Sequence, residues 1–141
     1  MNSHLNFKIV GSGPTGLLLA IALSKLKFNI FLTDLLSKDK LINKDKTYAI
    51  THSTRKILSK FNLWDKLNSV LYKFDSLSIS DSLTSEFTIL TTSDLDKDIS
   101  SLDTIGWVIK HTDLMNVFFD EIDKIENIFF KSSLDLSYKD I

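Results

Sequence analysis

Glycine is scarce in this chain, and what there is of it is concentrated. Only four glycines and one proline occur among 141 residues. Three of the glycines and the proline fall within six consecutive positions, Gly11-Ser12-Gly13-Pro14-Thr15-Gly16. The segment before them, Phe7-Lys8-Ile9-Val10, reads as a short strand that ends at the turn. Pro14 to about Leu26 reads as a helix, and Pro14 suits its first turn because the missing N–H costs nothing there. Apolar residues run nearly all round this helix, so it is expected to be buried on more than one side. Asn29 follows the helix end, where Asn tolerates the left-handed conformation that a helix stop often needs. Ile30 to Thr33 reads as a second strand, closing on Asp34. The opening of the chain is therefore a strand–helix–strand unit.

Gly-x-Gly-x-x-Gly between a strand and a helix is the arrangement that suits a dinucleotide pyrophosphate. Gly11 permits the tight turn, Gly13 lets the phosphates approach the backbone, and Gly16 lets helix and strand pack closely. With Ser12, Pro14 and Thr15 they form a cradle at a helix N-terminus, where free N–H groups and the positive dipole end face an anion. Asp34 lies 18 residues past Gly16. A carboxylate there can accept hydrogen bonds from ribose hydroxyls, and it repels a 2′-phosphate, which disfavours NADP as the ligand of this turn. The motif alone does not separate FAD from NAD. No Gly-Lys-Ser/Thr phosphate loop and no Ser-His-Asp arrangement accompanies it. Cysteine is absent, and His4, His52 and His111 lack metal-ligand spacing, so no metal site is expected. No side chain is assigned a catalytic role.

The formal net charge of −1 argues against a nucleic-acid partner, which usually calls for a basic excess. The longest apolar run, Leu17 to Leu23, is far short of the roughly 20 residues that span a bilayer. No targeting segment is visible, and the expected compartment is the cytoplasm. Further along, Leu35 to about Lys46 reads as a charged loop. A second helix is expected over Ser53–Phe61, with Ser53 as N-cap, a stripe of Ile57, Leu58 and Phe61, and Asn62 as its stop. Leu77 and Ile79, then Phe87 and Ile89, alternate with polar residues and read as a half-buried hairpin turning near Asp81-Ser82. Thr91 to Thr104 reads as an acidic surface loop. A strand over Trp107–Lys110 precedes a third helix from Asp113, with Thr112 as N-cap and Leu114, Phe118, Ile122 and Ile125 as its stripe. Ile128 to Phe130 reads as a further strand. His52 and His111 are expected to be exposed or capping, and Trp64 and Trp107 to be packing aromatics. The fold class is α/β: a Rossmann-like, partial doubly wound parallel sheet with a small β-hairpin excursion.

Lys46-Thr47-Tyr48-Ala49-Ile50, running on to Ser53, Leu58 and Phe61-Asn62-Leu63-Trp64, resembles the FAD-dependent aromatic-ring hydroxylases, above all the UbiH-type enzymes of ubiquinone biosynthesis. Gly106-Trp107-Val108-Ile109 followed by Leu114 to Phe119 resembles that family's next strand and helix. The resemblance implies hydroxylation of a phenol ring, with FAD as cofactor, NAD(P)H as co-substrate and O₂ as oxygen source. Carried over by position, Gly11, Gly13 and Gly16 would cradle the FAD pyrophosphate. Asp34 would bind ribose, where the family more often has Glu. Lys46 stands where the family has an Arg that reaches the FAD phosphates; lysine keeps the charge and loses the fork of donors. A solvated loop lysine is the plain alternative. Asn116 stands where relatives often carry Gln near the flavin.

The family's later Asp-Gly and Gly-Asp-Ala signatures do not occur in the sequence. Residues 1–141 therefore read as the N-terminal part of an FAD-binding domain, with a hairpin over 75–90 on the substrate side and no second complete domain. On that reading the chain alone does not turn over substrate, and Phe7–Val10 keeps an unpaired edge. The resemblance also implies a small aromatic substrate, contact with a membrane surface if that substrate is polyprenylated, and a quinone-biosynthesis complex as partner. Two other readings stand beside it: a non-catalytic remnant that binds nucleotide weakly or not at all, and a fragment of an NAD-dependent dehydrogenase. The second fits the glycine motif and not the Lys46–Trp64 stretch.

Overall fold

The computed structural model describes residues 5–95 and 103–132. Two compact units form: residues up to Lys46 together with those from His111 onward, and Thr47–Lys110. The fold is mixed α/β, with a parallel sheet in the first unit and antiparallel strands in the second.

In the first unit, β1 (Asn6–Val10) leads into α1 (Pro14–Ser24) and then β2 (Asn29–Asp34). A short helix α2 (Lys38–Ile42) follows. Near its end the chain supplies α5 (His111–Ile122) and β8 (Ile128–Ser132). The sheet order is β1-β2-β8, all parallel, with Ile30 opposite Phe7 and Ile128, and Leu32 opposite Ile9 and Phe130. These residues share one face because side chains alternate along a strand. Ile30 and Leu32 are fully buried, as are Leu17 and Ala20 of α1 and Met115 of α5. Phe130 meets Phe119 of α5 edge-on at 5.6 Å. Complete burial of an aliphatic side chain such as Leu17 or Leu32 contributes about 1.5–3 kcal/mol, so this face is the unit's core.

The other face is open among the described residues. Phe31 and Phe129 stack at 5.3 Å and stay 42% and 48% exposed. With Lys8, Thr33 and Lys131 they line a cleft of about 570 Å³. Strand β1 is an edge strand, paired only with β2 among the described residues.

In the second unit, β7 (Gly106–Lys110) lies between β3 (Thr47–Ile50) and β4 (Tyr72–Phe74), antiparallel to both. Helices α3 (His52–Lys60) and α4 (Trp64–Leu67) contribute buried Leu58, Trp64 and Leu67. Trp107 meets Trp64 at 4.7 Å and His52 at 5.0 Å, and the Arg55 guanidinium lies 5.4 Å from both indoles. Both tryptophans are thus packing residues, as expected. Gly106 is required sterically: a Cβ there would sit 2.6 Å from the Ile50 carbonyl oxygen. The hairpin β5 (Ser76–Ser80) and β6 (Phe87–Thr91) forms a separate two-stranded sheet.

Several expectations need correction. Helix α3 starts at His52 and not Ser53, because the Thr51 hydroxyl accepts from the Thr54 N–H and makes Thr51 the cap. Its stripe loses Ile57, which is 45% exposed. Helix α5 begins at His111, ahead of Thr112. The stop of α1 uses Lys27 (φ 61°), while Asn29 opens β2 and pairs side chain to side chain with Asn6. Leu19 of α1 is 46% exposed, so that helix is not enclosed all round. The charged loop after Asp34 contains α2, capped by Ser37. The hairpin is exposed rather than half-buried: Ile79, Phe87 and Ile89 are 54%, 68% and 54% exposed, and every residue of both strands except Thr91 is exposed. Thr104, placed in a surface loop, is buried, its hydroxyl donating to the Phe74 or Gly106 carbonyl. His4 and residues 96–102 of that loop lie outside the described residues.

Candidate cofactor-binding site

The six-residue turn joins β1 to α1, and its three glycines answer to three different constraints. Gly11 has φ +105°, a conformation L side chains rarely adopt, and its N–H donates to the Thr33 carbonyl at 2.8 Å. Gly16 is packed: a Cβ there would sit 1.9 Å from the Gly11 carbonyl oxygen. Gly13 has neither reason. Its φ of −73° and ψ of −179° suit any residue, and nothing lies within 4 Å of where its Cβ would be. Its bare backbone faces open space.

Helix α1 begins with Pro14, and its first intrahelical bond runs from the Leu17 N–H to the Gly13 carbonyl at 3.0 Å. The N–H groups of Thr15 and Gly16 precede that bond and have no acceptor within the helix. Such free N–H groups at a helix start can hold an anion. No acidic side chain occupies the first turn to compete.

Asp34 is the last residue of β2 and is bonded to the turn. Oδ2 accepts from the Ser12 N–H at 2.7 Å, and Oδ1 accepts from the Leu36 N–H at 2.9 Å. Hydrogen bonds to a charged acceptor contribute about 1.5–3 kcal/mol each. Ser12 is fully buried, and its hydroxyl oxygen has no hydrogen-bond partner.

The sequence-derived site residues do not all converge. Gly11 to Gly16 and Asp34 are brought together as expected. Lys46 is exposed; its carbonyl accepts from the His111 N–H at 2.8 Å, and no contact ties its side chain to the turn. Asn116 is exposed on α5 and likewise makes no contact with the turn. His52 and His111, expected to be exposed or capping, are both buried, and their rings bond to distant carbonyls instead of capping their helices. The Nε2 of His52 pairs with the Thr104 carbonyl at 2.8 Å and that of His111 with the Leu41 carbonyl at 2.7 Å. No local pattern announces those acceptors. No cluster of three His, Asp or Glu side chains suits a metal among the described residues. No helix of the described residues is long and apolar enough to cross a membrane.

The turn fits the pyrophosphate of a dinucleotide: an unobstructed backbone at Gly13, free N–H groups beyond it, and a carboxylate at the end of the second strand. No protein-family model matches the chain. An uncharacterized protein of Synechocystis sp. is 29% identical over 80 residues, which is 57% of this chain and 19% of that protein. Solved structures match more broadly. The p-nitrophenol 4-monooxygenase PnpA from Pseudomonas putida DLL-E4 has a TM-score of 0.69 at 19% identity, over 94% of this chain and 32% of that one. PqsL, a probable FAD-dependent monooxygenase from Pseudomonas aeruginosa, has a TM-score of 0.68 at 12% identity, over 91% of this chain and 32% of that one. The flavin-dependent monooxygenase PieE, solved with FAD and substrate, has a TM-score of 0.67 at 12% identity, over 93% of this chain and 24% of that one. The chain thus shares the fold of FAD-dependent monooxygenases and spans a third or less of their length.

Proposed function

We propose that this chain is the nucleotide-holding part of an FAD-dependent monooxygenase that hydroxylates an aromatic ring. The observation that carries the reading is Gly13. Conformation does not demand glycine there, and no neighbouring atom does; an approaching phosphate does. FAD, when bound, would supply the electron and oxygen-transfer chemistry. The N–H groups of Gly13, Thr15 and Gly16 would hold its pyrophosphate, with Gly11, Ser12 and Pro14 shaping the turn. Asp34 would face the adenosine ribose. Lys46 would add positive charge towards the phosphates, and Asn116 would approach the flavin end. The Lys46–Trp64 resemblance supports a polyprenylated phenol of quinone biosynthesis as substrate and NAD(P)H as reductant. Such a substrate favours peripheral membrane contact and a quinone-biosynthesis complex as partner.

Titration of the purified chain with FAD tests this. Flavin fluorescence should quench, ADP should compete, and NADP should not. Gly13→Val should abolish the binding without changing the unfolding temperature. A folded chain that quenches no flavin and binds no ADP overturns the reading. Tighter binding of NAD than of FAD would put the dehydrogenase reading in its place. The 141-residue chain alone should show no ring hydroxylation coupled to NAD(P)H oxidation.

A further inference from the structure

Asp34 does more in this structure than wait for a ribose. Its two carboxylate oxygens accept from two backbone N–H groups on opposite sides of it, Ser12 at 2.7 Å and Leu36 at 2.9 Å. The first of these bonds spans 22 residues and lies beside the bond from the Gly11 N–H to the Thr33 carbonyl. The two together pin Gly11-Ser12 to the end of β2. Ser12 is fully buried, so its N–H faces the protein and not a ligand. Without the carboxylate that N–H would be orphaned, a costly state for a buried donor. Gly13, the residue whose open backbone would face phosphate, follows Ser12 directly.

We propose that Asp34 is the latch that holds the glycine turn in its phosphate-ready shape before any nucleotide arrives, a positioning role separate from ribose contact. The proposal rests on the dinucleotide reading for its purpose. Its geometry stands without a ligand, so the two can fail separately. A carboxylate has about four lone-pair sites, and the latch fills two, which leaves room for a ribose hydroxyl as well.

Amide hydrogen exchange in the nucleotide-free, 141-residue chain supplies the first test. The Leu36 N–H lies outside any helix or strand, yet the latch requires it to be protected. In Asp34→Asn, the side-chain NH₂ replaces one acceptor, so exchange at Ser12 or Leu36 should quicken about tenfold or more. The second test compares ADP with 2′,3′-dideoxy-ADP, which lacks the ribose hydroxyls. Asp34→Asn and Asp34→Ala should weaken dideoxy-ADP about tenfold through loss of the latch, and ADP by at least as much, since any ribose contact is lost with it. An unprotected Leu36 amide in the unmodified chain overturns the latch even if no variant folds. So does a variant that weakens ADP while leaving dideoxy-ADP unchanged, which marks a pure ribose contact. If the unmodified chain binds neither nucleotide, the dinucleotide reading falls and the exchange data still decide the latch.

Discussion

Two turns in this molecule are organised by an aspartate, and they differ in what the aspartate reaches. In the β5–β6 hairpin, Asp81 Oδ1 accepts from the Leu83 and Thr84 N–H groups, two and three residues on. At the glycine turn, Asp34 accepts from Ser12, 22 residues back, as well as from Leu36 nearby. The hairpin turn organises itself and is exposed throughout. The glycine turn is shaped by the strand beside it, and its donor is fully buried. A local Asx turn tidies a loop; a carboxylate bridging two chain segments fixes where one loop stands against another strand.

That contrast can be broken by substitution. The largest effect is expected at Gly16, where an added methyl would collide with the Gly11 carbonyl. Gly16→Ala should cost about 3 kcal/mol in urea unfolding, the upper end for overpacking. Asp34→Ala should cost about 2 kcal/mol: Asp34 and Leu36 are only half-buried, so water replaces the acceptor for the Leu36 N–H, and the orphaned N–H of buried Ser12 is the main loss. Ser12→Ala should act in the opposite direction. Removing a buried hydroxyl without a partner should raise stability by about 1 kcal/mol, read as a higher urea midpoint. Asp81→Ala should change the midpoint least, by less than about 0.5 kcal/mol, as for most exposed substitutions. If Asp34→Ala proved as mild as Asp81→Ala, the two turns would be equivalent and the comparison would collapse.

What the sequence made legible follows the same division. The strand–turn–helix–strand opening could be read because glycine spacing is local. The stop of α3 at Asn62 was local too. Asn62 has φ 57°, its N–H donates to the Ser59 carbonyl, and the Leu63 N–H donates to the Leu58 carbonyl, the Schellman pattern. Asn29 invited the same reading wrongly, because its real partner, Asn6, comes from a neighbouring strand. Helix α2 escaped notice since five residues offer no periodicity to count. The burial of His52 and His111 depends on carbonyls 52 and 70 residues away. The position of Asp34 was legible; its double engagement was not, since the Ser12 bond exists only once β1 and β2 pair.

The scarcity of glycine has a cost away from the turn. Lys27, Asn62, Ser85 and Asp103 all take positive φ, while Gly11 is the one glycine that does. Left-handed backbone costs an ordinary L-residue roughly 1–2 kcal/mol, and least for Asn and Asp. Lys27 and Ser85 therefore hold the helix stop and the hairpin tip against a standing backbone strain. The stop at Lys27 joins α1 to β2, and so lies on the short path between the glycine turn and Asp34, the two halves of the proposed nucleotide cradle. Relief of that strain by glycine would strengthen the join between α1 and β2 without touching Gly11 to Gly16 or Asp34.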